Sequence, residues 1–70
     1  MTETAAKLVR MANQLAANFA AQGEAEAIRA TAEHIALFWD PRMKAQIFAD
    51  PSGLEPIAAQ AIEQLARVRA

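Results

Sequence analysis

Apolar and polar positions alternate with a helical period from the start of the chain. Large apolar side chains recur at spacings of three and four at Leu8, Met11, Leu15 and Phe19. Polar side chains occupy the opposite side of the same helical wheel: Arg10, Asn13 and Gln14. This pattern predicts an amphipathic helix over about residues 3–22, in which Glu3 and Lys7 form an i,i+4 pair. Gly23 follows where a helix end favours a residue with positive φ.

A second amphipathic segment predicts a helix from about Ala25 to Trp39. Glu24 and Glu26 place negative charge at its amino-terminal end, which favours helix formation. The predicted core stripe contains Ile28, Thr31, Ile35, Phe38 and Trp39. Leu37 falls on the far side of the wheel, so it is a candidate for an outward contact.

The dipeptide Asp40-Pro41 predicts a corner between two helices. Proline disfavours a helical conformation at the preceding residue, and it fits the first position of a new helix. Asp40 is suited to cap that helix. The third helix is predicted over Pro41 to about Ala49, with Met43 and Ile47 on one side and Phe48 beside them.

Residues 50–53, Asp-Pro-Ser-Gly, predict a loop before a fourth helix. The apolar band of that helix is wide: Ile57, Ala58, Ala61, Ile62, Leu65 and Val68. Its start has two alternatives, a capping box of Ser52 with Glu55, or Pro56 as the first helical residue. The sequence therefore predicts one domain over residues 1–70, an all-α bundle of three to four short helices.

The composition indicates that this domain needs a partner. Seventy residues bury a small fraction of their surface, and 19 of them are alanine, which favours helix but adds little apolar area. The absence of cysteine excludes a stabilising disulfide and a cysteine-based metal site.

The charge pattern argues against nucleic acid and membrane as partners. The net charge is −1 and the two signs are interspersed. A helix-turn-helix alternative would use Arg42, Lys44 and Gln46, but the basic surface is thin. Attachment of the first helix to a membrane is disfavoured because its polar face holds only Lys7 and Arg10. No apolar run reaches the length of a membrane span and no signal peptide is evident, so we expect a cytoplasmic protein.

Catalytic residue patterns are missing from the sequence. Ser52 is the single serine, and His34 has no triad motif around it. His34 could pair with Glu33, Asp40 or Asp50, but a lone histidine is more often structural. We expect no enzyme activity, no metal and no cofactor in this chain.

The aromatic cluster at the corner has two interpretations. In one, Phe38 and Trp39 close the core. In the other, the cluster is a protein-docking site, since aromatic residues, Met and Arg are enriched at interface centres. For Phe38 and Trp39 both interpretations stay open, whereas Leu37 and Arg42 favour the interface. The predicted interface residues are Leu37, Phe38, Trp39, Asp40, Pro41, Arg42 and Met43.

Three stretches of the chain resemble a known family. They are LVRMANQLAANF (8–19), AEHIALFWDPRMKAQIFA (32–49) and GLEPIAAQAIEQL (53–65), and the most specific parts are residues 11–14 and 38–43. Together they are similar to the small delta subunit of soluble, NAD-dependent, molybdenum-containing formate dehydrogenases.

This resemblance implies a place in an enzyme complex. The alpha subunit of such enzymes carries bis-molybdopterin guanine dinucleotide molybdenum and iron-sulfur clusters, and the beta and gamma subunits handle FMN and NAD. The hypothesis is an accessory subunit that docks on alpha through the corner and stabilises its cofactor-loaded state. Arg42 would bind a carboxylate or carbonyls of alpha, or alternatively a cofactor phosphate. The rival hypotheses are a transient factor for molybdenum cofactor insertion and a self-associating homodimer.

Overall fold

The computed structural model describes residues 2–69, and the side chains of residues 5–68. Within this part of the chain there are four α-helices and no strand. The helices are α1 (Thr2–Phe19), α2 (Glu24–Phe38), α3 (Pro41–Ala49) and α4 (Pro56–Arg69), and a 3₁₀ turn, Ala20–Gln22, joins the first two. The prediction of a small all-α bundle is confirmed. The predicted pair of Glu3 with Lys7 lies outside the described side chains.

Gly23 provides the link between α1 and α2. Its φ is +101°, a value that side chains disfavour, as the sequence predicts for this position. Its N–H donates to the carbonyl of Ala20 at 3.1 Å, and its own carbonyl accepts from the N–H of Ala27 at 2.8 Å. One residue therefore closes the 3₁₀ turn and begins α2.

The core is built around α2, which packs against both α1 and α4. The main buried cluster combines a few large side chains with alanines: Leu8, Ala12, Ala16, Ile35, Trp39, Ile47, Ala58 and Ile62. A second cluster lies between α2 and α4 and contains Ile28, Ala32 and Ala61, with Ile57 and Leu65 contacting both clusters. Several alanines are completely inaccessible to solvent: Ala12, Ala27, Ala58 and Ala61. Small side chains at these positions let the helix backbones approach closely, so the alanines contribute packing rather than large apolar area.

One position of the predicted apolar face of α1 is exposed. Met11 is 40% exposed, although the period of the helix placed it in line with Leu15 and Phe19. In α1 the buried line runs through Leu8, Ala12 and Ala16, and the larger Leu15 flanks it half-buried. The side of α1 that faces the other helices carries small residues, which allow close packing. The larger apolar side chains therefore lie beside this contact, where they are partly exposed.

Thr31 is buried as predicted. Its side chain is fully inaccessible, and its hydroxyl oxygen has no hydrogen-bond partner within the described residues.

Asn13 fastens the loop before α4 to the middle of α1. Its amide nitrogen donates to the carbonyl of Gly53 at 3.1 Å, and its Oδ1 accepts from the N–H of Glu55 at 2.8 Å. Residue 55 precedes Pro56, so the second bond satisfies a free amide at the helix start. The alternative with Pro56 as the first helical residue is confirmed.

Replacing Asn13 with alanine should lower the free energy of unfolding by about 1 kcal/mol, because two hydrogen bonds are lost while helix propensity improves. Urea denaturation followed by circular dichroism would measure the change. Asn18→Ala is the matched control, since the hydrogen bond that the side chain of Asn18 accepts comes from Gln14 in the same helix. Equal stability of the two variants would contradict this role of Asn13.

Candidate functional site

The corner between α2 and α3 has a fixed backbone geometry. Trp39 and Asp40 are both extended, with ψ of 137° and 168°. The N–H of Trp39 donates to the carbonyl of Ile35 at 3.1 Å, which ends α2. Asp40 Oδ1 accepts from the N–H of Met43 at 2.9 Å, and Pro41 occupies the first turn of α3. The predicted helix cap at Asp40 is confirmed.

A further hydrogen bond ties α3 back to α2 across the corner. The ammonium group of Lys44 donates to the carbonyl of Ala36 at 3.1 Å, in the last turn of α2. Carbonyls at this end lack helical partners, and the negative end of the helix favours a cation. The helix-turn-helix alternative placed Lys44 on a DNA-reading face, but its ammonium group donates to the carbonyl of Ala36 instead.

The corner sends neighbouring aromatic side chains in opposite directions. Trp39 is 6% exposed and belongs to the main core cluster, whereas Phe38 is 71% exposed. Leu37 is 69% exposed, which confirms the outward position that the sequence predicts. The sequence left open whether Phe38 and Trp39 belong to the core or to the surface. The structure places Trp39 in the core and Phe38 on the surface.

The remaining predicted interface residues follow Trp39 in the chain and differ in their exposure to solvent. Asp40, Pro41 and Arg42 are exposed, and Met43 is half-buried against the core. The exposed apolar pair Leu37 and Phe38 is therefore bordered by polar residues on the α3 side.

His34 packs against Phe38 one turn along α2. The centroids of the two rings are 4.7 Å apart and the ring planes are tilted by 43°. This arrangement lies within the range of favourable aromatic contacts. Among the described residues no carboxylate forms a hydrogen bond or ion pair with His34, so the pairs with Glu33, Asp40 or Asp50 are not formed. His34 instead supports the ring of Phe38.

Two open grooves meet at His34. The first has a volume of about 510 Å³, and it lies between α1 and the carboxyl-terminal half of α2. Its lining residues are Lys7, Arg10, Met11, Gln14, Leu15, Asn18, His34 and Trp39. The second has a volume of about 230 Å³, and Phe19, Leu37 and Phe38 line it together with His34. Five large apolar side chains that line these grooves are exposed or half-buried, and we refer to them as the corner surface: Met11, Leu15, Phe19, Leu37 and Phe38.

Three of the five side chains of the corner surface were not predicted as part of a surface site. Met11, Leu15 and Phe19 belong to the apolar face of the predicted first helix, and such a face normally packs against the core. The signal that distinguishes them is the parallel line of Leu8, Ala12 and Ala16, whose small residues suit a close helix contact.

Arg29 in α2 and Arg67 in α4 form ion pairs within their helices. Arg29 binds Glu26 at 2.6 Å and Glu33 at 2.9 Å, and Arg67 binds Glu63 at 3.3 Å. The hydrogen bond from Arg29 lowers the pKa of Glu26, and the bonds to Glu26 and Glu33 raise the pKa of Arg29. These pairs are solvent-exposed, so each contributes little to stability.

The described residues hold no group of three or more His, Asp or Glu side chains that could bind a metal ion. Across the same residues, none of the helices is long and apolar enough to cross a membrane.

Comparison with known proteins identifies the family. The model of the NADH-dependent formate dehydrogenase delta subunit family, FdsD, matches residues 7–62. This match covers most of the chain, including the corner and both grooves, and the chain therefore belongs to the formate dehydrogenase delta subunit family. No curated protein and no solved structure matches it.

Removing the cap at Asp40 should weaken the corner. We expect Asp40→Ala to lower the free energy of unfolding by about 1 kcal/mol, because the N–H of Met43 loses its acceptor. Asp40→Asn should retain most of the stability, since asparagine caps helices equally well. Thermal and urea unfolding of both variants would measure the difference, and an alanine variant as stable as the asparagine variant would contradict the capping role.

Proposed function

We propose that this member of the delta subunit family is a non-catalytic subunit of the formate dehydrogenase complex, which docks on the molybdenum-containing alpha subunit and stabilises it in its cofactor-loaded state. One observation supports this most strongly. Leu37 and Phe38 are adjacent, are exposed by 69% and 71%, and stand beside a corner whose geometry is fixed. Large apolar side chains on a rigid, polar-bordered surface are typical of interface centres.

The corner residues would have different roles in this interface. Leu37 and Phe38 would be the apolar anchors that enter pockets of the alpha subunit. Trp39 is buried, so it would support them from the core side rather than touch the partner. Asp40 and Pro41 would hold the direction of the chain, and Met43 would pack beneath the corner.

Arg42 would supply the polar part of the interface. It is exposed next to the anchors, and no described side chain forms an ion pair with it. A guanidinium can bind a carboxylate through two parallel hydrogen bonds, or it can donate to backbone carbonyls. Either contact would fix the orientation of the docked subunit.

Docking would remove apolar surface from water, and this gain would offset part of the free-energy cost of association. Burying each of Leu37 and Phe38 contributes about 1.5 to 3 kcal/mol, and the three other apolar side chains of the corner surface add to this. A partner that binds one state of the alpha subunit shifts its equilibrium toward that state by mass action. Stabilisation of the cofactor-loaded state requires no catalytic group in this chain.

The cofactors of the complex would reside on the partner subunits. We place bis-molybdopterin guanine dinucleotide molybdenum and the iron-sulfur clusters on alpha, and FMN and NAD on beta and gamma. The chain contains no cysteine that could ligate an iron-sulfur cluster, and its described His, Asp and Glu side chains form no ligand cluster for a metal ion.

Replacing both anchors should release the chain from the complex. We expect Leu37→Ser with Phe38→Ser to weaken binding by about 100-fold or more, because two buried anchors are lost. The measurement is the amount of this chain, of molybdenum and of formate oxidation in the complex purified after co-expression of all subunits. Val68→Ser is the control, since Val68 is 82% exposed on α4 and lies outside the corner surface.

Each outcome separates the competing roles. The proposal is supported if this chain is lost from a complex that initially contains molybdenum but loses its formate oxidation faster than the unsubstituted complex. Loss of molybdenum from the freshly made complex would instead favour a transient role in cofactor insertion. Retention of the doubly substituted chain at normal stoichiometry would contradict docking through Leu37 and Phe38.

A further inference from the structure

The groove between α1 and α2 combines an apolar floor with positive charge. Met11, Leu15 and Trp39 contribute apolar surface, and Lys7 and Arg10 stand on α1 one turn apart. The other lining residues are Gln14, Asn18 and His34, so none of the described side chains that line this groove is a carboxylate. The chain as a whole has a net charge of −1. The groove is therefore locally positive on a slightly acidic protein.

Two cations that lie close together in this groove are available to a partner, as Arg42 is at the corner. Arg29 and Arg67 are ion-paired, and Lys44 donates to a backbone carbonyl. Lys7 and Arg10 have no acidic partner among the described side chains. The pair of Lys7 with Glu3 that the sequence predicts is of the i,i+4 helical type, which is weak, so a partner carboxylate can replace it.

We propose that this groove receives an acidic segment of the partner protein, in which an apolar side chain lies on Met11, Leu15 and Trp39 while neighbouring Asp or Glu side chains bind Lys7 and Arg10. This inference rests on the proposed function, because the segment belongs to the subunit that docks on the corner surface. His34 lines this groove and the one beside Leu37 and Phe38, so a single partner can cover both.

The shape of the groove favours a peptide over a small anion. Its volume of about 510 Å³ is open to solvent and suits several side chains. The lining residues of α1 are in the middle of the helix, where backbone N–H groups are already hydrogen-bonded within the helix. Only flexible side chains can therefore donate to an anion. Such a site gives phosphate few converging donors, whereas an acidic segment gains both charge pairing and apolar contact.

Neutralising the groove should weaken docking in a salt-dependent manner. We expect Lys7→Gln with Arg10→Gln to raise the dissociation constant about tenfold at ~50 mM NaCl and much less at ~500 mM, since salt screens exposed charges. Arg67→Glu is the matched control, because both variants lower the net charge by two and Arg67 is exposed on α4 away from the groove. We expect a change of about twofold or less in this control.

Fluorescence anisotropy can measure these constants. The full chain contains no cysteine, so one cysteine added after Ala70 provides a unique site for a fluorophore. The labelled chain is titrated with the formate dehydrogenase complex expressed without it. Equal binding of the glutamine variant and the Arg67→Glu control at low salt would overturn the proposal. If the Leu37 and Phe38 double variant fails to bind while the glutamine variant binds normally, only the groove proposal fails; if both bind normally, docking at the corner fails as well.

Photo-cross-linking would identify the occupant. A photoreactive phenylalanine derivative at Gln14, which lines the groove, should capture a peptide of the partner subunit that contains Asp or Glu close to an apolar residue. Capture of a peptide without acidic residues, or of a second copy of this chain, would overturn the proposal. Displacement of the labelled chain by inorganic phosphate at constant ionic strength would also overturn it, since it would assign the groove to a small anion.

Discussion

The cap that Asp40 provides for α3 is the contact on which the candidate surface depends. Its carboxylate holds the N–H of Met43, and Pro41 prevents α2 from continuing. The chain therefore turns between Phe38 and the third helix while Trp39 enters the core. Without this turn, Trp39 could not enter the core beside an outward Phe38, and the exposed pair of Leu37 and Phe38 would lose its rigid support.

Close packing through alanine sets the position of the rest of the surface. Ala12, Ala27, Ala58 and Ala61 are fully buried where helices meet, so the larger side chains of α1 lie to the side of the contact. This arrangement leaves Met11 exposed and Leu15 and Phe19 half-buried along the edge of α2. The packing that stabilises a small domain thus also produces an apolar surface that a partner can cover.

Most of the fold could be predicted from the sequence, because the helices and their ends depend on residues that are close to one another in the chain. Helical periodicity predicted the helices, and glycine, aspartate and proline marked the ends near Gly23 and at Pro41. Burial could not be predicted in the same way, and the sequence left it open for Phe38. Phe38 lies on the same side of the helical wheel as Thr31, but it is the last residue of α2, where neighbouring helices leave that side uncovered. The contacts of Asn13 join residues about 40 positions apart, and periodicity within one helix contains no information about such a pairing.

A structure of the intact formate dehydrogenase complex by electron cryo-microscopy would test the central claim most directly. The account predicts that Leu37 and Phe38 are buried against the molybdenum-containing subunit, with Trp39 still in the core of this chain. A complex in which both side chains face solvent and another face of the bundle contacts the enzyme would contradict it.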